Sequence, residues 1–356
     1  MKPYKILGIV PPGLEKIGAL ELEALNITKY TILKGGIEFV GHQSTLIKCN
    51  LMCRVFSRFV VRLESFIAES FKELEAKLYK LPWEDFINKQ KICFHVQSYG
   101  SKIYHEKAIG LSVLSILHRQ INNRIEVVTS PDEDDTQLLI VNAVSNRFTI
   151  SVDSSGKHLH KRGYMPWRED APLRETTVAA MLISLPTSDL PLMDPLCGSG
   201  TILIEKAVMA TKLPLSKFRK FAFQDWDSFQ PEIFSKIENK FMEESIEKPE
   251  LSLIGSDIDA KSIISCNHNA EAAGVSGLIE FSHKDIREYG DSISNHMIVT
   301  NPPYGIRIKG ANVVNELVKL AKLNEVYYLH PDIRNPEEAL LQTKNGGLHV
   351  FFRKIF

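Results

Sequence analysis

Four stretches of the sequence place residues able to do chemistry at the ends of apolar, strand-like runs. In LPLMDPLCGSGT (190–201), Asp194 ends the run, Gly198 and Gly200 permit a tight turn, and a helix begins near Thr201. Glycine has no Cβ, so a ligand can come close to the backbone there. The turn departs from the dinucleotide-binding fingerprint, because Leu203 stands where the third glycine belongs. In LSLIGSDID (251–259), Asp257 ends the second run, a position from which a carboxylate holds ribose hydroxyls. Asp259 is better placed than Asp257 to cap the next helix. In FSHKDIRE (281–288), Asp285 ends the third. Three acids at successive strand ends, with a glycine turn at the first, describe a pocket for an adenosine-bearing ligand. The fourth stretch, IVTNPPYGIRI (298–308), stops a strand with two consecutive prolines. It sets an amide (Asn301), a stiff carbonyl (Pro302) and an aromatic ring (Tyr304) side by side.

These loops need a scaffold that brings strand ends together. From residue 171 onward helix-type and strand-type runs alternate, with a first helix at about 172–184. Such alternation predicts an α/β fold with a parallel, doubly wound sheet that takes ligands at the carboxyl ends of its strands. Residues 1–65 read as a small α+β unit. Its first helix, within GLEKIGALELEALNI (13–27), has Leu14, Ile17, Leu20 and Leu22 or Leu25 near one face. Residues 66–155 read as a second unit, ending in two strands around a turn at Ser145-Asn146. The charged, aromatic stretch GKHLHKRGYMPWRED (156–170) reads as a linker into the unit 171–356.

With DPLCGSGT, GSDID and NPPYG in this order, the C-terminal half resembles the class I S-adenosylmethionine-dependent methyltransferases that methylate amines. RGYMPWREDAPLRETTVAAML (162–182) and FAFQDWDSF (221–229) narrow the resemblance to the THUMP-containing RNA guanine-N2 methyltransferases. PPGLEKIGALELEALNI and GGIEFVG resemble that family's ferredoxin-like domain, and SFKELEAKLYKLPWEDF through FTISVDSSGKHLHKRGY its THUMP domain. The resemblance covers nearly the whole chain. It implies S-adenosylmethionine as cofactor, held by Arg174, Asp194, Pro195, Cys197, Gly198, Gly200, Thr201, Asp257, Ile258, Asp285 and Asn301. It implies Asn301, Pro302 and Tyr304 as the catalytic residues. One departure stands out. The helix NVVNELVKLAKL runs directly into EVYYLHP, where the family has a longer helical stretch.

The Asn-Pro-Pro-Tyr loop then has a physical reading. The lone pair of an exocyclic amine is delocalised into its base, so the amine is a poor nucleophile. The Asn301 side-chain oxygen and the Pro302 carbonyl can accept its two N–H groups and aim the lone pair at a methyl group. Positioning and oriented dipoles then carry the catalysis, without a titrating base. Tyr304 can stack on a base turned out of its helix. Methylation of N2 of guanine in RNA is the expected activity, with 23S ribosomal RNA ahead of tRNA. The same loop serves adenine N6 in DNA, and a non-catalytic RNA-binding assembly factor is the third reading.

Bulk composition neither supports nor excludes an RNA partner. Lys+Arg and Asp+Glu each number 43 among 356 residues, so basic surface must come from local clustering. KHLHKRGY (157–164) and KFRKFAF (217–223) mix basic and aromatic residues as backbone-binding surfaces do. The acidic run Asp132-Glu133-Asp134-Asp135 reads as a solvated loop. Cys49, Cys53, Cys93, Cys197 and Cys266 complete no zinc set, and reduced thiols in a cytoplasmic protein are expected. No run approaches membrane-spanning length. MKPYKILGIVPPG reads as a strand rather than a signal peptide. No metal and no obligate protein partner are expected.

Overall fold

The computed structural model describes residues 3–121, 125–167, 173–303, 313–331, 336–345 and 347–355. Tyr304 lies outside these residues, as do Ala171 and Pro172 ahead of Arg174. The front of the chain runs β1 (Tyr4–Ile9), α1 (Glu15–Ala24), β2 (Tyr30–Leu33), β3 (Gly36–Gly41), α2 (Gln43–Met52) and β4 (Arg58–Ile67). It continues with α3 (Phe71–Leu78), β5 (Lys91–Tyr99), α4 (Glu106–Gln120), β6 (Glu126–Val128), β7 (Thr136–Val144) and β8 (Arg147–Asp153). Among the described residues these strands make one eight-stranded sheet, ordered β2-β3-β1-β4-β8-β7-β5-β6. Strand β4 joins its halves, antiparallel to β1 on one side and to β8 on the other. The β7–β8 hairpin turns at Ser145 and Asn146, with φ of 49° and 66°. A two-residue hairpin needs such left-handed values, because they match the strand twist.

Helix α1 keeps most of the expected face, with Leu14 and Leu22 buried and Ile17 and Leu25 packed against the core, and departs from it at Leu20. Its buried face is Gly18, Ala19 and Leu22, and Leu20 is 50% exposed. A Cβ on Gly18 would lie 3.2 Å from the Phe56 ring and from Val10, so small residues let this helix settle close on its sheet.

The second half runs α5 (Glu175–Ser184), β9 (Leu192–Asp194), α6 (Thr201–Ala210), α7 (Pro231–Glu243), β10 (Leu253–Asp257), α8 (Ala260–Ala272) and β11 (Ile279–His283). Then come β12 (Met297–Thr300), α9 (Val313–Leu320), β13 (Glu325–His330), β14 (Leu341–Asn345) and β15 (Leu348–Lys354). Sheet order is β11-β10-β9-β12-β13-β15-β14; the first five strands are parallel, and β15 is antiparallel to both neighbours. Strands β9 and β12 are buried along their whole length, as apolar central strands of a parallel sheet should be.

The two halves interlock. The segment between α6 and β10, where FAFQDWDSF lies, turns back onto the front sheet. Gln43 at the start of α2 donates to Ser228 O at 2.9 Å and accepts the Gln230 N–H at 3.0 Å. Trp226 donates to Gln137 Oε1 at 3.1 Å and meets the Phe86 ring edge-on at 4.9 Å. Arg162 and Glu205 are both fully buried and pair at 2.8 Å, and the Tyr164 hydroxyl donates to the other Glu205 oxygen. One apolar core runs from Ile6 to Phe352. Among the described residues no helix is long and apolar enough to cross a membrane.

Candidate active site at the sheet's switch point

The chain leaves β9 outward to β10 and β11, then returns across β9 to form β12. Met193 on β9 is in register with Ile254 on one side and Ile298 on the other. The carboxyl ends of β10, β9 and β12 therefore lie side by side, about 4.8 Å apart from strand to strand. Open α/β sheets take their ligands in the crevice at such a reversal. Asp257, Asp194 and Asn301 stand at these three ends.

After β9 the chain makes its tight turn. Gly198 and Gly200 have φ of 51° and 85°, values that side chains with a Cβ rarely adopt. Gly200 is also the N-cap of α6, where a Cβ would sit 3.0 Å from Ile204 and 3.1 Å from Cys266 Sγ. Asp257 spans the turn, accepting the Gly198 N–H through Oδ2 at 3.0 Å and the Asp259 N–H through Oδ1 at 2.9 Å. Asp259 caps α8 by accepting the Lys261 N–H, as its position in the sequence predicts.

Cys197 looks inward. Its N–H donates to Ser256 O, its carbonyl accepts from Gly200, and its thiol lies 3.7 Å from that of Cys266. The Cys266 contact and burial push the Cys197 thiol well up, so it stays protonated. The Cys266 thiol reaches Gly198 O at 3.0 Å. Cys197 thus shapes the turn with its own polar groups. Pro195 is buried, and Thr201 opens α6 with its hydroxyl 3.4 Å from that of Ser199.

Asp194 is 2% exposed and accepts the Leu196 N–H at 3.1 Å. Burial pushes its carboxyl up to about 7, with the Asp257 carboxylate adding to the shift, against the Leu196 N–H and the nearby Thr300 hydroxyl. Ile258 holds its side chain out, 61% exposed, just past Asp257. Asp285 sits two residues beyond the end of β11 rather than at it. It caps a short 3-10 turn and pairs with Arg287, which holds its carboxyl low. Arg174 is exposed at the N-cap of α5.

At the end of β12, Asn301 Oδ1 is buried and accepts no hydrogen bond from any described residue. Buried acceptors are nearly always partnered, which sets this one apart at the switch point. Pro302 beside it is buried, and Pro303 is exposed.

Sequence reading missed Asn269. This fully buried amide on α8 donates to Ser199 O at 3.0 Å and to Trp167 O at 2.8 Å, and accepts the Trp167 N–H at 3.1 Å. It fastens the linker to the glycine turn. The Trp167 ring, 54% exposed, stacks on His268 with centroids 5.2 Å apart. The available signal was a polar residue on the helix face that also buries Cys266 and Ala270.

Sheet order and switch-point geometry together define a methyltransferase of the doubly wound class. Residues 162–325 match the family described as RMKL-like, methyltransferase domain, and residues 5–60 match the RlmL ferredoxin-like domain. The chain therefore belongs to the RMKL-like methyltransferases. It is 30% identical to the "Putative RNA methyltransferase YpsC" of Bacillus subtilis, over 90% of this chain and 84% of that one. It is also 30% identical to the ribosomal RNA large subunit methyltransferase K/L of Syntrophotalea carbinolica, over 92% of this chain but 48% of that protein. Among solved structures, a Listeria monocytogenes protein described as a "predicted N6-adenine-specific DNA methylase" superposes with a TM-score of 0.82 at 26% identity, covering 99% of this chain and 96% of that one.

Proposed function

We propose that this protein transfers the methyl group of S-adenosylmethionine to N2 of a guanine in RNA, with 23S ribosomal RNA ahead of tRNA. The observation that carries the reading is the buried Asn301 Oδ1 at the switch point, which has no hydrogen-bond partner among the described residues. An apolar ligand would leave it unsatisfied, whereas an amine N–H fits it. The cofactor supplies a methyl group on a positive sulfonium, already a good electrophile. The chain's own residues do the rest. Asp257 keeps lone pairs for ribose hydroxyls beyond the two N–H groups it accepts. Ile258 offers an apolar face to a flat base, and the Gly198–Gly200 turn lets the methionine part lie against the backbone. Asp194, Thr201, Asp285 and Arg174 are assigned to the same pocket.

Asn301 Oδ1 and the Pro302 carbonyl then hold the two N–H groups of the guanine amine. The lone pair points at the methyl group, and the methylated nitrogen releases its extra proton to water. Tyr304, outside the described residues, is assigned to stack on the base. We read residues 66–155 as a THUMP unit that, with the ferredoxin-like residues 1–65, delivers RNA to the site. A ribosomal RNA substrate puts the work in the cytoplasm. Likeness to the Listeria protein, described as an adenine-specific DNA methylase, favours a second reading, N6 of adenine in DNA. Nucleoside mass spectrometry of 23S RNA, tRNA and genomic DNA, with and without this gene, separates the two. Loss of N2-methylguanosine from 23S RNA is expected; loss of N6-methyladenine from DNA would make the second reading correct.

A further inference from the structure

The two basic-aromatic segments of the sequence meet in the fold. Arg219 donates through Nη1 to His158 O at 2.8 Å and Lys161 O at 3.1 Å, and through Nη2 to Ser155 O at 3.0 Å and Lys157 O at 2.5 Å. One side chain from KFRKFAF thus organises the whole start of KHLHKRGY. Beside it opens a cavity of about 740 Å³, whose basic wall is Lys89, Lys157, Lys161, Arg219 and Lys220. Arg219 and Lys220 have no carboxylate partner among the described residues.

The acidic run expected to be a solvated loop lies against this wall. Asp134 pairs with Lys157 at 2.7 Å. Asp132 pairs with Lys161 at 2.8 Å and accepts the His158 N–H at 3.2 Å. Without Glu133, Asp134 and Asp135, the five cations lining the cavity would face Asp225 alone among its lining acids.

We propose that this cavity binds the phosphodiester backbone of the substrate RNA, and that the acidic loop on its wall engages Lys157 and Lys161 in the free protein as a displaceable substitute for phosphate. The inference rests on the RNA-methyltransferase reading above. Carboxylates here make the contacts that phosphate oxygens would make, with the same lysines. The loop is easily exchanged. Both lysines are 46% exposed and Asp134 is 86% exposed, so the Lys157 pair is weak, while Asp132, 23% exposed, is the firmer end of the loop. RNA brings several phosphates at once and gains from the counterions it releases. The location suits delivery. Met165 and Pro166 belong to the cavity's lining, and the next residue, Trp167, is the one Asn269 fastens to Ser199 of the glycine turn. Trp167 also keeps a half-exposed ring on which a base can stack.

The test is anisotropy of a fluorescein-labelled RNA hairpin over a salt series, using the full chain. Its variants are Asp132→Asn with Asp134→Asn, Lys157→Gln with Lys161→Gln, and all four together. The loop variant should bind about 5–10-fold tighter at low salt, with a log–log salt slope steeper by about one to two. The lysine variant should bind more weakly with a shallower slope, and the loop change should have no effect in its background. Unchanged or weaker binding by the loop variant would overturn the proposal. So would an equal gain in the lysine-free background, which would mean long-range charge alone, or a hairpin that binds none of the proteins. Circular dichroism confirms that each variant is folded. Failure of the methyl-transfer reading registers separately, as absent S-adenosylhomocysteine binding in calorimetry.

Discussion

Asp257 Oδ2 accepts the Gly198 N–H at 3.0 Å, so the acid ending one strand of the parallel sheet holds the turn that follows its neighbour. A residue read as a ribose ligand is also a latch.

Asp257→Ala therefore removes the proposed ribose acceptor and frees the turn together. Its affinity for S-adenosylmethionine should fall by about 1.5–3 kcal/mol. Asp257→Asn keeps one acceptor oxygen and should lose less. Calorimetry on folded variants decides, and unchanged affinity in Asp257→Ala would put the ribose elsewhere.

Asn301→Ala deletes an acceptor that no described residue partners. Its thermal midpoint should stay level or rise, because an unsatisfied buried group is lost. Single-turnover methyl transfer should fall by roughly 10²–10³-fold, the size of one preorganised polar contact in a transition state. Near-wild-type rates would remove Asn301 from amine positioning. In the same assay Tyr304→Phe should be mild, while Tyr304→Ala loses stacking of about 1–3 kcal/mol.

Asp194 gives the site a pH dependence. Its carboxyl titrates at about 7 in the fold, well above its value in an unfolded chain. Because the folded value is the higher one, its contribution to stability is complete below about pH 4 and is lost as pH rises through about 7. Asp194→Asn should thus stabilise the free protein more at about pH 8 than at about pH 5. A cationic methyl donor nearby favours the ionised form, so donor binding should tighten between about pH 6 and pH 8 and release a proton. Calorimetry in buffers of different ionisation enthalpy would show that release; equal heats throughout would exclude it.

Glu205→Ala leaves Arg162 buried without its carboxylate. Breaking one side of a buried pair costs about 3–5 kcal/mol, which urea unfolding would register. A loss within the range of a surface substitution would mean that water reaches the cluster.

The sequence made the switch-point elements legible because their information is local. Apolar runs end in Asp194, Asp257 and Thr300-Asn301, and Pro195 and Pro302 mark two of the three stops. The front sheet was harder to read. Its central pairing sets Val60 opposite Asp153, residues far apart in the chain, and no periodicity in either strand announces the partner. Strand β2 is four residues long with most side chains exposed, so YTIL carries little alternation. Helix α7, between α6 and β10, was not anticipated. Leu20 misled because Gly18 and Ala19 share the close contact of α1 with Leu22. Asn269, Arg162 and Glu205 are polar residues whose roles exist only once distant segments meet.

The return of the α6–β10 segment onto the front sheet bears on how the protein is made. Helix α7 packs against α2, burying Phe234 and Ile237, yet it is synthesised long after α2. On the ribosome the front sheet leaves the exit tunnel before this cover exists, and a nascent chain paused before Pro231 holds an uncovered apolar flank. Completion of the first module is thus deferred to translation of the second, and a stop codon between them would leave a chaperone client rather than a free-standing RNA-binding domain.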